Sequence, residues 1–188
     1  WTLTALPLFV WMGEILFRTK LSENLFEGLS PWMQKLPGGL IHVNVVGCAL
    51  FAAISGSSAA TVATVGKMSI PELRKRNYPE KILLGSLAGS GTLGLLIPPS
   101  IILIIYGVTV QESIAKLFVA GIIPGIMIAL IFMSYVILWS LFNKKQMPNI
   151  VYQYNLLDKI KRSGKLIPVI ILILSVIGSI YTGIATAT

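Results

Sequence analysis

Short runs of small polar residues break two otherwise apolar stretches: Ser55-Gly56-Ser57-Ser58, and Gly89-Ser90-Gly91-Thr92 leading on to Pro98-Pro99-Ser100. In hydrocarbon no water satisfies freed backbone groups, so non-helical backbone persists only where protein surrounds it or a polar cavity adjoins it. That constraint applies because 55% of the 188 residues are hydrophobic and 12% charged, with a mean hydropathy of +0.82. A water-soluble domain of this length exposes far more polar surface, so the composition predicts an all-α integral membrane protein. The net charge of +8 sits mainly in clusters between apolar stretches. Such clustering fits the positive-inside rule and argues against nucleic-acid binding.

The order of segments follows from polarity and length. Residues 1–17 read as the end of a transmembrane helix, and residues 18–37 as an amphipathic interfacial arm with Leu21, Leu25, Leu29, Trp32 or Met33, and Leu36 at helical spacing. Residues 38–68 read as a re-entrant helical hairpin broken at residues 55–58. Its second limb, residues 59–68, reaches only about 15 Å, half of a ~30 Å hydrocarbon core. A basic cytoplasmic loop is expected at 69–81, containing a short interfacial helix capped by Ser69. A broken transmembrane helix is expected at 82–109, whole ones at 114–142 and 166–182, and a second basic loop at 143–165. Residues 183–188 are expected to open a second hairpin, and both chain ends suggest a piece of a longer polypeptide. Lys67, Arg74, Lys75, Arg76 and Lys81 fall in one loop; Lys144, Lys145, Lys159, Lys161, Arg162 and Lys165 fall in the other. Two spans separate these loops, which puts both on one face, opposite Gln111.

Each break carries a chemical consequence. At 55–58 one limb ends with free carbonyls and the next begins with free amides, where Ser57 or Ser58 serves as N-cap and Gly56 allows the bend. Converging oxygens suit a hard cation such as Na⁺, and the amides suit an anionic substrate group. The plainer alternative is that the small residues only permit close helix packing. At the second break consecutive prolines end one helix near Gly91 and start another near Pro98, with Thr92 adding a hydroxyl. No acidic residue lies near either break, which favours an alkali cation over Ca²⁺ or Mg²⁺. His42 and Asn44, on the first limb, are candidates to face the cavity, and Glu14 is expected to pair with Arg18 one turn later. The small residues Gly121 and Gly125 would permit close helix contact. Cys48 is the only cysteine, which excludes an intrachain disulfide. No phosphate-cradling loop or His/Glu metal motif occurs, and Ser57 has no evident base, so an enzyme is not expected.

Three stretches, residues 51–61, 91–100 and 116–125, together resemble the large membrane subunit of tripartite ATP-independent periplasmic (TRAP) transporters. The resemblance runs over essentially the whole chain. It implies an ion-transporter-type fold of two inverted repeats, each with a re-entrant hairpin and a broken helix, of which this chain carries one. It implies Na⁺-coupled uptake of a small carboxylate such as sialic acid or a C4-dicarboxylate by an elevator-type movement in a bacterial inner membrane. A periplasmic substrate-binding protein and a small membrane subunit would be partners. The sodium site carried over by motif is Ser55, Gly56, Ser57, Ser58, Gly91, Thr92 and Pro98, with Ser57, Ser58 and Asn44 as substrate-binding candidates. A self-sufficient dicarboxylate symporter, an ATP-driven permease and a non-transporting assembly subunit are the alternatives.

Overall fold

A computed structural model describes residues 5–148 and 155–182, and among these every regular element is helical. The polypeptide opens with α1 (Ala5–Arg18) and α2 (Leu21–Met33), then forms a hairpin from α3 (Ile41–Ser55) and α4 (Ser58–Lys75). Next come α5 (Glu80–Gly91), a 3₁₀ turn (Thr92–Leu95), α6 (Ile101–Val110) and the long α7 (Ile114–Phe142). After a break come α8 (Leu156–Ser163), another 3₁₀ turn (Gly164–Leu166) and α9 (Ile167–Tyr181). Two stretches, Ile114–Phe142 and Leu156–Ile180, are long and apolar enough to cross a membrane. Expected features of residues 1–4, 149–154 and 183–188, including the opening of a second hairpin, lie outside the described residues.

Helix α3 is the axis of the bundle. Its Ile41, Val43, Val45, Phe51 and Ile54 are buried, as are the polar His42, Asn44 and Ser55. Where lipid replaces water, apolar side chains gain little by leaving it, so packing and buried hydrogen bonds carry helix association. The Asn44 amide supplies two such bonds, donating to the Leu83 carbonyl at 3.2 Å and to the Ser86 hydroxyl at 3.1 Å on α5. Ser90 returns a weaker bond to the Asn44 carbonyl at 3.4 Å. His42 donates from Nε2 to the Pro37 carbonyl at 2.7 Å, which secures the turn leading into α3. By contrast Ile123, Leu130, Ile131 and Leu138 on α7 are exposed, as lipid-facing residues should be.

The two basic regions do share one end of the molecule. Leu40, Leu73, Tyr78 and Ile82, around the hairpin's base, pack in one cluster with Val136 of α7, with Trp139 and Met147 against it. The opposite end gathers Ile104, Ile114 and Phe118 around the Gln111 turn, with Ile180 packed against them. Glu14 and Arg18 form the expected ion pair at 2.9 Å.

Two expectations need correction. The second hairpin limb does not stop at Met68: α4 runs on through Pro71 to Lys75, and Ser69 is buried within it rather than capping a new helix. Proline removes one backbone hydrogen bond, but fully buried Leu73 anchors the following turn among Phe26, Tyr78 and Leu83. The limb therefore has 18 residues, about 27 Å, and its length no longer argues against crossing. The 143–165 segment is not simply a loop, because α8 is a separate amphipathic helix. Its charged residues mask the helical spacing of Leu156, Leu157 and Ile160. The amphipathic arm at 18–37, open from sequence to lying in the interface or bracing another helix, is α2 with Leu25, Phe26 and Leu29 buried against α3 and α9, so it braces the bundle.

Asn44→Ala should therefore lower stability by about 0.5–1.5 kcal/mol, the worth of a buried bond between membrane helices. Thermal unfolding of the complete permease in detergent reads this change, and substrate half-saturation should stay unchanged.

Candidate functional site

The hairpin tip is built by three consecutive backbone conformations. Gly56 takes the left-handed region at φ 60°, ψ 9°, and returns its amide to the Ala52 carbonyl, ending α3. Ser57 is extended at φ −131°, ψ 126°, and caps α4 by accepting the Ala60 amide at 3.5 Å. The Thr61 hydroxyl donates to the Ser57 carbonyl at 2.7 Å and lies 2.9 Å from Ser55 Oγ. Thr61 has one hydroxyl proton and spends it on Ser57, so Ser55 is the donor to Thr61. These contacts clamp the two limbs together at the turn, and both Ser55 and Thr61 are fully buried.

The second break sits directly against this tip. A Cβ on Gly94 would lie 2.8 Å from the Ser58 amide nitrogen and 3.0 Å from the Ser57 carbonyl oxygen. One on Gly91 would collide with Val62, in the second turn of α4. From the far side of the break, the Ile101 amide donates to the Gly56 carbonyl at 3.2 Å, and a Cβ on Gly56 would come within 2.7 Å of the Pro99 carbonyl oxygen. Ser100, buried, donates its hydroxyl to the Leu95 carbonyl at 2.8 Å and holds the segment between the helices in shape. The Pro98–Pro99 bond is cis.

Behind the break, α7 offers a seat of glycines. A Cβ on Gly121 would meet the Leu96 carbonyl oxygen at 2.7 Å, and one on Gly125 would meet Ile97 Cγ1 at 2.8 Å. The expected close approach at these two positions thus occurs, to the unwound segment. The Pro98 ring faces apolar surroundings, lining a small cavity with Phe118, Ile122, Ile177 and Ile180.

Four helix ends consequently meet at one place. The carboxyl ends of α3 and of α5 with its 3₁₀ turn bring partial negative charge, and the amino ends of α4 and α6 bring partial positive charge. Residues 55–61 and 89–100 contain no Asp or Glu, so every oxygen donor at the junction is neutral. Such a place can accept a monovalent cation among oxygens and an anionic group at exposed amides.

Of the residues named from sequence, Ser55, Gly56, Ser57, Ser58, Gly91 and Thr92 belong to this junction. Their roles differ. The Ser57 carbonyl already accepts from the Thr61 amide and hydroxyl, leaving its half-buried side chain as the freer oxygen. Thr92 is exposed and donates to the Gly89 carbonyl at 2.6 Å, which leaves its oxygen lone pairs unspent. Pro98 is present through its backbone alone. Asn44 is not brought to the junction: it lies 11 residues before Ser55 on α3, about 16 Å along the axis, and its amide is engaged with α5. Sequence reasoning assigned no role to Thr61, Gly94 or Ser100. The spacing of Thr61 one helical turn after Ser57 was the available signal for the first.

The described residues thus form an all-helical protein with two stretches long and apolar enough to cross a membrane and a helical hairpin seated on a broken helix. The chain belongs to the family described as "Tripartite ATP-independent periplasmic transporter, DctM component", which matches residues 1–188. It is 34% identical, over its full length, to the C4-dicarboxylate TRAP transporter large permease protein DctM of Pseudomonas aeruginosa, covering 43% of that protein. It is 35% identical to the isethionate TRAP transporter permease protein DctMQ of Oleidesulfovibrio alaskensis, across 98% of this chain and 29% of the relative. With the sialic acid TRAP transporter permease protein SiaT of Haemophilus influenzae it shares 39% identity, across 70% of this chain and 21% of the relative. The chain thus spans less than half the length of these relatives.

Gly94→Ala should force the tip and break apart and destabilise the protein by about 1–3 kcal/mol, as overpacking does. Gly85→Ala, with open space around its Cα, serves as the control and should be stabilising or neutral by less than about 1 kcal/mol. Denaturation in detergent compares the two.

Proposed function

We propose that the chain forms one half of the permease subunit of a Na⁺-coupled uptake system for a small carboxylate such as sialic acid or a C4-dicarboxylate. The observation that carries this is the direct seating of the hairpin tip on the helix break. Two carboxyl-terminal helix ends then supply oxygens for sodium, and two amino-terminal ends supply amides for the substrate's carboxylate. Sodium is held by the Ser57, Ser58 and Thr92 hydroxyls with backbone oxygens of Ser55, Gly56, Gly91 and Pro98. The substrate's charged group reaches the Ser57 and Ser58 end of α4.

The hairpin is re-entrant on this proposal. Helix α3 has 15 residues, about 22 Å, which ends short of the far side of a ~30 Å core. The Leu40 amide also donates to the Tyr78 hydroxyl at 3.1 Å, tying the hairpin's two outer ends together at the basic face. That face lies in the cytoplasm by the positive-inside rule, in a multi-pass inner-membrane protein. A small membrane subunit, separate or fused, and a periplasmic substrate-binding protein complete the transporter, and the substrate crosses by elevator-type alternating access.

Ser57→Ala and Thr92→Ala, made in the complete permease, should each raise the sodium concentration for half-maximal uptake by about 5–10-fold, the worth of one polar contact of 1–1.4 kcal/mol. Expression should stay near wild type. An unchanged sodium response in well-folded variants would reject the ion site and favour a non-transporting assembly role. Uptake by the membrane subunits without the binding protein would favour the self-sufficient symporter.

A further inference from the structure

Helix α8 carries charge and exposed apolar bulk together. Leu156, Leu157 and Ile160 are 73%, 80% and 66% exposed, although Asp158, Lys159, Lys161 and Arg162 share the helix with them. Its rotation is fixed from the other side. Lys159 is buried with its ammonium 5.3 Å from the centre of the Trp32 ring, and the Trp32 indole donates to Ser163 Oγ at 2.8 Å. Lys165 pairs with Glu27 one turn along α2. With that face held by α2, the leucines have to point outward.

The outward face also continues into α9. Leu156, Ile160, Ile167, Ile171 and Leu174 recur at three- to seven-residue intervals on one exposed side of the helical stretch Leu156–Ile180. That stretch has 25 residues, about 37 Å, some 7 Å more than a ~30 Å hydrocarbon core. Its basic end therefore projects to headgroup depth while still presenting apolar side chains. Beside them Lys161, Arg162 and Lys165, with the acidic Glu27 and Asp158, line an open cavity of about 310 Å³.

We propose that α8 is an interfacial lipid-binding helix, with Leu156, Leu157 and Ile160 seated at the acyl boundary and Lys161 reaching out to anionic phospholipid headgroups. Apolar insertion beside snorkelling cations is the chemistry such a surface recognises. The exposed Leu156, Leu157 and Ile160 support a lipid surface over an acidic peptide, because charge pairing with a peptide would leave them against water. This proposal rests on the membrane placement of the chain and not on the sodium site, so either can fail alone.

The test places an environment-sensitive fluorophore on Leu157→Cys or Ile160→Cys in the complete permease carrying Cys48→Ser. The protein is reconstituted in phosphatidylcholine vesicles with or without phosphatidylglycerol. Fluorescence should be quenched by a shallow nitroxide lipid and shielded from aqueous iodide. Spin-labelled phosphatidylglycerol should also associate in preference to spin-labelled phosphatidylcholine, and Lys161→Gln should reduce that preference by about five-fold. Quenching by iodide would overturn the proposal by placing the helix in water. Shielding from both quenchers would overturn it in favour of a covering protein subunit. Shallow quenching without any headgroup preference would overturn its electrostatic half. Leu157, Ile160 and Lys161 are exposed and Cys48 is buried, so unchanged thermal unfolding checks that each variant is folded.

Discussion

The arrangement depends on how closely backbone can approach backbone where the two breaks meet. Where a helix ends away from water, its last carbonyls and first amides need partners from the protein. Here each broken element answers part of the other's need. The amide that opens α6 bonds to the carbonyl that closes α3, and the 3₁₀ turn after α5 rests on the first turn of α4. The contact is possible only because Gly56 and Gly94 place no carbon between the two chains. A methyl group at either position would meet backbone atoms, which have no rotamer to escape into, so the fit is set by main chain rather than by adjustable side chains.

The breaks were legible because they violate the pattern around them. Serine and glycine at 55–58, and paired prolines at 98–99, cannot sit inside continuous apolar helices without a reason, and the chemistry of caps and left-handed glycines gives the local geometry directly. The contact between them was inferable only as an expectation, since tertiary proximity leaves no mark in local spacing. Pro71 shows the converse failure. Ser69 and the basic run after it suggested a new helix there, yet the buried side chain of Leu73 carries α4 straight past Pro71. Local propensity is a weak guide where packing on both sides of a proline is secured.

Polar residues on the axis helix illustrate a second limit of sequence. Asn44 is the kind of residue that lines a transport path in a membrane protein, and its distance from Ser55 cannot by itself exclude that. Its actual engagement with Leu83 and Ser86 depends on which face α5 presents. The same holds for α8, where four charged residues flanking Ile160 hide an apolar face that only the seating against Trp32 reveals.

Those engagements also divide the molecule into what is tied and what is merely touching. Asn44, Ser86 and Ser90 join α3 to α5 by hydrogen bonds, and the Gly56 carbonyl joins the hairpin to α6. The hairpin and the broken helix therefore form a unit whose separation would strand buried polar groups, which is costly in hydrocarbon. Against α7 the same unit presents chiefly small and apolar surfaces, with glycines facing Leu96 and Ile97. Contacts of that kind rest on dispersion and shape, and they can be remade after a shift without leaving a donor or acceptor unpaired. That physical asymmetry makes the hairpin and the broken helix one body, with α7 as the surface it rests against.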